Sequence, residues 1–340
     1  MPETMQGIVF RGEGHWGLEH LPVPKIQALD DVLLKVDRAS VCGTDIHILS
    51  TPPGHPATPG SILGHEYVAT VVEAGQGVRD LQPGDRVVID PNITCGTCEY
   101  CRLGMSNACS NMTTLGIFRH GGLAEFSLAP ARALHRINQD VPLDRATLAE
   151  PLSCVLHAFE KSELVPGESI AILGAGPIGL LFAMLFRAAG AGKILIVEPV
   201  EFRRRMAEKF GVDYALDPKV GDIVAEVNAA TRIGADVVVD AAGTLLPEAV
   251  NLVRRGGRVL LFGMNQHANR AVNQYVVTRH EISILGSFIQ RTAFPKVVKI
   301  LEAGLLPVEK LVTHRLTLGE VHTGLEAMKQ GQAMKVAVSP

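Results

Sequence analysis

The first part of the chain is built from short apolar runs cut by Gly, Pro and charged residues, as in DVLLKVDRAS (31–40), YVATVVEAGQGV (67–78) and GDRVVIDP (84–91). Runs of this length bounded by turn formers predict antiparallel β structure from residue 1 to about 160. From Val165-Pro166-Gly167 onward the pattern changes. Strand-like runs SIAIL, KILIVE, DYALD, ADVVVDAAG, GRVLLFG and EISILGSFI are now spaced by longer helical stretches such as EFRRRMAEKFG. Parallel strands need such crossovers, so the six runs predict a doubly wound parallel sheet over about 151–287. The expected class is therefore α/β, with a β-rich domain over 1–150. Residues 288–340 read as helices and a closing strand, KVAVS, that lie outside the six-strand unit.

Ser169 to Phe186 carries no charge over eighteen positions and formally resembles a membrane span. Gly174, Gly176, Gly179 and Pro177 interrupt it, and a strand, a glycine turn and a buried helix explain the same letters.

Composition narrows the partners. A chain of 340 residues with 47% hydrophobic content suffices for two cores, and a formal charge of -3 offers no basic face for nucleic acid or anionic lipid. A small molecule is the expected partner. MPETMQGIVFRGEG shows no export signal, so a reducing cytoplasm is expected, where clustered thiols are more often metal ligands than disulfides.

The turn GAGPIG (174–179) lies between SIAIL and a helical run. Gly174 permits a tight turn, Gly176 lets backbone approach a pyrophosphate, and Gly179 lets the helix pack on the strand. Nineteen residues on, Glu198 ends KILIVE, where a carboxylate accepts from an adenosine ribose and repels a 2′-phosphate; NAD is expected. Arg203-Arg204-Arg205 just downstream could neutralise such a phosphate or be a solvated helix face.

Cys95, Cys98, Cys101 and Cys109 follow the spacing C-x2-C-x2-C-x7-C. Four thiolates close a tetrahedral zinc site with no open position, so it organises backbone and does no chemistry. An iron–sulfur cluster or a redox CxxC suits the spacing less well. Chemistry then falls to VCGTDIH (41–47), GHE (64–66) and AEPLSC (149–154): Cys42 and His65 offer sulfur and nitrogen, and Glu66 or Glu150 could add oxygen. Adjacent strand residues point to opposite faces, so His65 and Glu66 share a metal only if the backbone turns, which Gly64 permits.

VCGTDIH, GHEYVATVVEAGQGV, GDRVVIDP, CGTCEYCRLGMSNAC, GGLAEF, AEPLSC, GAGPIG and VTHRL together, over nearly the full chain, resemble the zinc-dependent medium-chain dehydrogenases. The branch is that of sorbitol and other polyol dehydrogenases and L-threonine 3-dehydrogenase. The resemblance implies a GroES-like catalytic domain (1–150, completed by 288–340), a Rossmann coenzyme domain (151–287), an active site in the cleft between them, and a homodimer or homotetramer. It implies two zinc ions per chain. Cys42, His65 and Glu66 match the catalytic ligands, Glu150 the acid that binds that zinc directly or through water, and the four lobe cysteines the structural site. Thr44 and His47 match a proton relay, and Asp45 could orient a ligating histidine. Gly174, Gly176, Pro177, Ile178, Gly179, Glu198, Arg203 and Gly263 match coenzyme contacts. Cys154 has no role.

Threonine dehydrogenases typically follow the Glu/Asp-Pro pair with Gly-Asn, whereas here Glu150-Pro151 is followed by Leu152-Ser153-Cys154. The expected substrate is accordingly a polyol oxidised at a secondary hydroxyl. L-threonine with the same machinery, and a non-catalytic NAD- and zinc-binding protein, are the alternatives.

Overall fold

The alternation of the first part becomes a pleated sheet with two buried faces. The β structure expected to about residue 160 stops at Arg136, however: Leu143–Ala146 and Ala149–Ser162 are helices, the second led by an acid in its first turn and carrying a continuous apolar face. In the computed structural model, which describes residues 1–340, the chain divides into two units, Met1–Ser153 with Arg291–Pro340 and Cys154–Gln290.

The first unit opens with an antiparallel hairpin, β1 (Thr4–Gly12) and β2 (His15–Pro22). Its main sheet joins β3 (Asp31–Val41), β4 (Glu66–Ala74), β5 (Arg86–Ile89), β8 (Phe126–Pro130), β9 (Leu134–Arg136), β16 (Val312–Thr317) and β17 (Lys335–Ser339). The order is β16-β17-β3-β4-β5-β9, with β8 also on β3; only the β16–β17 pair is parallel. Short strands β6 (Asn92–Ile93) and β7 (Thr113–Thr114) pair separately. The period of two is visible on β3: Val32, Leu34 and Val36 enter one core with Tyr67, Val87 and Ile89, while Leu33 joins Met5, Ile62 and Phe126 on the other face. Each such aliphatic side chain contributes about 1.5–3 kcal/mol by leaving water. Register decides what meets at the sheet end, where Ser40 on β3 stands opposite Glu66 on β4 and Ala337 on β17.

The second unit is a six-stranded parallel sheet of β10 (Ser169–Leu173), β11 (Lys193–Val197), β12 (Tyr214–Leu216), β13 (Ala235–Asp240), β14 (Val253–Leu261) and β15 (Ser283–Gly286). The order is β12-β11-β10-β13-β14-β15, the doubly wound arrangement expected from the sequence, with helices in the crossovers. Central strands buried on both faces read as continuous apolar runs, and Ile170, Ala171, Ile172 and Val237 to Val239 are all fully buried. The uncharged stretch from Ser169 is β10, a turn and the helix Pro177–Ala188. No helix is long and apolar enough to cross a membrane.

Candidate active site and metal centres

The lobe between β6 and β7 brings Cys95, Cys98, Cys101 and Cys109 together with all sulfurs within 4.8 Å of one another and none in a disulfide. Cys109 lies 3.5 Å from Cys95 and Cys98 lies 3.9 Å from Cys109, sulfur to sulfur. A tetrahedron with zinc–sulfur bonds of about 2.3 Å has edges of about 3.8 Å, so the four thiols fit zinc. Backbone amides point at the sulfurs: Cys98 N donates to Cys95 Sγ at 3.3 Å, and Cys95 N and Asn111 N donate to Cys109 Sγ at 3.3 and 3.4 Å. Such donors favour thiolate. Backbone bonds from Thr97 and Cys98 pull the Cys95 thiol down to about 5, whereas burial and then its hydrogen bonds to Cys98 and Cys109 push Cys101 up to about 12.

A second group forms in the same unit, where Cys42, His65 and Glu66 hold their ligand atoms within 4.8 Å of one another. Cys42 is the N-cap of the helix Gly43–Ile48: its sulfur accepts from Thr44 N at 3.5 Å, and Asp45 Oδ2 accepts from Cys42 N at 2.8 Å. His65 and Glu66 reach the same point because β4 begins only at Glu66, so strand alternation does not govern His65. Gly64 turns the chain at φ +90°, and a Cβ there would lie 2.6 Å from Leu123 Cγ. Gly116 and Gly121 close on its carbonyl, their own Cβ positions falling 2.3 and 2.2 Å from Gly64 O.

Glu66 is 1% exposed, and its Oε2 accepts from both Ser40 Oγ and Lys335 Nζ. Neither partner was foreseen from the sequence. Burial opposes a charge on Lys335, but Glu66, then Cys42 and Glu150, outweigh it and raise the ammonium's pKa. Burial likewise opposes protonation of His65, and Cys42, then Asp45 and Glu150, drive its pKa well above the ordinary value. Glu150 lies outside the group of three, buried in the first turn of the helix Ala149–Ser162, where its charge still acts on His65 and Lys335. The Thr44 hydroxyl is 3.7 Å from the Cys42 sulfur. His47, exposed, follows one turn on along the same helix face. A soft sulfur, an imidazole and a carboxylate are the donors of an open zinc site.

In the second unit GAGPIG runs from the end of β10 into the helix Pro177–Ala188, with Gly174 at φ +105° and Gly176 as N-cap. Gly179 packs the helix on the turn so closely that a Cβ would sit 1.9 Å from Gly174 O. Free N–H groups of that helix end suit a pyrophosphate. Glu198, 3% exposed, clamps the turn: Oε2 accepts from Ala175 N at 2.8 Å and Oε1 from Val200 N at 2.9 Å. Arg204 donates to the Glu198 carbonyl and pairs with Asp217, and Arg205 pairs with Glu201. Arg203 stands 4.0 Å from Glu198 Oε2 with a buried Nε that has no hydrogen-bond partner. Half-buried Ile178 is in the helix's first turn, and Gly263 follows β14, its backbone crossing that of Gly243 too closely for any side chain.

Comparison with known proteins agrees with this chemistry. Residues 28–139 match the alcohol dehydrogenase GroES-like domain, and residues 177–303 match the zinc-binding dehydrogenase family. D-arabinitol dehydrogenase 1 of Uromyces fabae is 33% identical, with 100% of this chain and 98% of that protein covered. L-threonine 3-dehydrogenase of Caldanaerobacter subterraneus is 32% identical over 94% of this chain and 93% of its own. A zinc-binding dehydrogenase of Sinorhizobium meliloti, solved with NADP, superimposes with a TM-score of 0.95 at 32% identity and full coverage of both chains. This chain therefore belongs to the zinc-containing medium-chain alcohol dehydrogenases, in the branch of the polyol and threonine dehydrogenases, and is a zinc-dependent alcohol oxidoreductase.

Proposed function

We propose that the protein oxidises a secondary hydroxyl of a polyol to a ketone with NAD as hydride acceptor, using one catalytic and one structural zinc per chain. The observation that carries the reading is the convergence of Cys42, His65 and Glu66 on one point beside Thr44. When bound there, zinc supplies a Lewis acid that makes a hydroxyl far more acidic, as it lowers the pKa of bound water to about 7. Cys42, His65 and Glu66 hold that ion, and buried Glu150 adds negative charge beside it. The Thr44 hydroxyl would relay the substrate proton, giving up its own as it accepts, and exposed His47 would be the base at the outer end of the relay that releases the proton to solvent. The four lobe cysteines hold the structural ion. The β-rich unit with its C-terminal segment is the catalytic domain, and the parallel-sheet unit binds the coenzyme.

NAD is favoured because a buried carboxylate at Glu198, next to the glycine turn, would repel a 2′-phosphate on an adenosine ribose held by Gly174, Gly176, Pro177, Ile178 and Gly263. Arg203, beside Glu198, is the arginine of its triplet that would contact the coenzyme, Arg204 and Arg205 being paired with Asp217 and Glu201. A polyol is favoured by Leu152-Ser153-Cys154 after Pro151, and the sugar-alcohol relative supports it. The threonine dehydrogenase relative supports L-threonine as the second reading. A cytoplasmic dimer or tetramer completes the proposal.

The test is reduction of NAD and of NADP by the zinc-loaded protein over four- to six-carbon polyols, L-threonine and simple secondary alcohols, with Cys42→Ala alongside. Turnover of a few polyols sharing one configuration, lost in Cys42→Ala while NADH still binds, is expected. Activity on threonine alone would replace the substrate, and full activity of Cys42→Ala would overturn the site.

A further inference from the structure

Glu66 is the member of the three-residue metal group that is ion-paired with a buried lysine. The arrangement follows from strand order. β17, β3 and β4 are neighbours; Ser40 is in register with Glu66 on one side and Ala337 on the other, and Lys335 lies two residues from Ala337 on the same face. Three adjacent strands thus deliver a hydroxyl, a carboxylate and an ammonium to one spot. Lys335 is 3% exposed and Ser40 0%, and both donate to the same oxygen, Glu66 Oε2. The other oxygen, Oε1, carries neither bond. Lys335 is also fixed from behind: Thr313 Oγ1 accepts from Met334 N at 3.0 Å and donates to Lys335 O at 3.4 Å.

The geometry points to Lys335, seated by Thr313 and assisted by Ser40, as a positioning residue that holds Glu66 to a single free oxygen and draws carboxylate charge away from the catalytic metal. This rests on the reading of Cys42, His65 and Glu66 as zinc ligands. A carboxylate with one oxygen committed to an ammonium and a hydroxyl is a weak, one-toothed ligand. Freed of Lys335, Glu66 has its full charge and both oxygens for the ion, which then binds more tightly but in the wrong coordination. Lys335 in this account keeps the metal loosely enough held to exchange a ligand for substrate.

The test compares the zinc-loaded holoenzyme with Lys335→Met, Lys335→Gln and Lys335→Arg. Three readouts are used: zinc loss to a chelator, the visible absorption of protein carrying cobalt(II) at the catalytic site, and kcat against KM. Lys335→Gln keeps a donor for Glu66 and removes only the charge, so it stands in if the methionine variant does not fold. The neutral variants should lose the catalytic zinc on the order of tenfold more slowly than wild type. Their cobalt absorption should weaken as coordination rises, and kcat should fall more than KM changes; Lys335→Arg should stay near wild type on all three. Unchanged or faster zinc loss with an unchanged cobalt spectrum would overturn the inference and leave Lys335 a packing residue. If instead Cys42→Ala holds as much zinc as wild type, the metal-site reading itself fails, a result independent of Lys335.

Discussion

Asp45 Oδ1 and His65 Nδ1 lie 3.8 Å apart, both buried and both without a hydrogen-bond partner, while the other Asp45 oxygen accepts from Cys42 N at 2.8 Å. One carboxylate therefore touches the cap that aims the thiol and faces the ring that supplies the nitrogen. Asp45 aligns two ligands at once.

Asp45→Asn should keep the cap, because the amide oxygen still accepts from Cys42 N, yet remove the charge facing His65. Zinc affinity at the catalytic site should fall about 10–100-fold, as for other outer-shell partners of ligating histidines. Chelator competition measures this, and unchanged retention would show that Asp45 serves the helix cap alone.

What the sequence disclosed and what it concealed divide along physical lines. Six strand runs and GAGPIG were legible because their signals are local: a period, a glycine turn, an acid at a fixed offset. The lobe cysteines were legible by spacing. Whether His65 and Glu66 could meet was not, because the answer lies in φ +90° at Gly64 and in where β4 starts. Ser40 and Lys335 were invisible for a deeper reason. Their partnership with Glu66 is made by strand order across β17, β3 and β4, and a lysine opening KVAVS looks like any solvated strand end.

Cys98→Ser removes one of four sulfurs without reaching the Cys42 group. Tm should fall by about 5–10 °C and zinc content by one ion per chain, with turnover of still-folded protein close to wild type. Calorimetry with metal analysis checks this. An unchanged Tm at full zinc content would refute a structural role for the lobe.

Glu198→Gln leaves one oxygen where Ala175 N and Val200 N now have two, so one buried N–H goes unpaired at a cost of about 1–3 kcal/mol. NADH affinity, followed by fluorescence titration, should drop about tenfold or more, and discrimination against NADPH should narrow as the negative charge disappears. Undiminished preference for NADH would shift selection to residues other than Glu198.

Asp236 offers a pH handle away from the metal sites. Partial burial opposes its charge, but Ser169 N at 2.8 Å, Ser169 Oγ at 2.7 Å and Arg254 Nε at 2.6 Å outweigh that and lower its pKa below the ordinary value. A lowered folded-state pKa contributes stability above the unfolded value of about 3.9 and loses it as pH falls through the folded one. Asp236→Asn should therefore be less stable than wild type at pH 7, with the gap closing below about pH 4, as denaturant titrations at several pH values would reveal. A gap independent of pH would mean that shape, not charge, decides.

The first unit is stitched from both ends of the chain, while Cys154–Gln290 is continuous. During synthesis the continuous unit has every strand it needs before β17 exists. Until Lys335 arrives, Glu66 has no cation and β3 no partner on its β17 side. Seating β17 against β3 closes a loop over most of the chain, a contact of very high sequence separation. The ion pair of Glu66 is thus completed only by the C-terminal strand, and a chain cut short before β17 would carry its parallel-sheet unit intact and leave Glu66 without its cation.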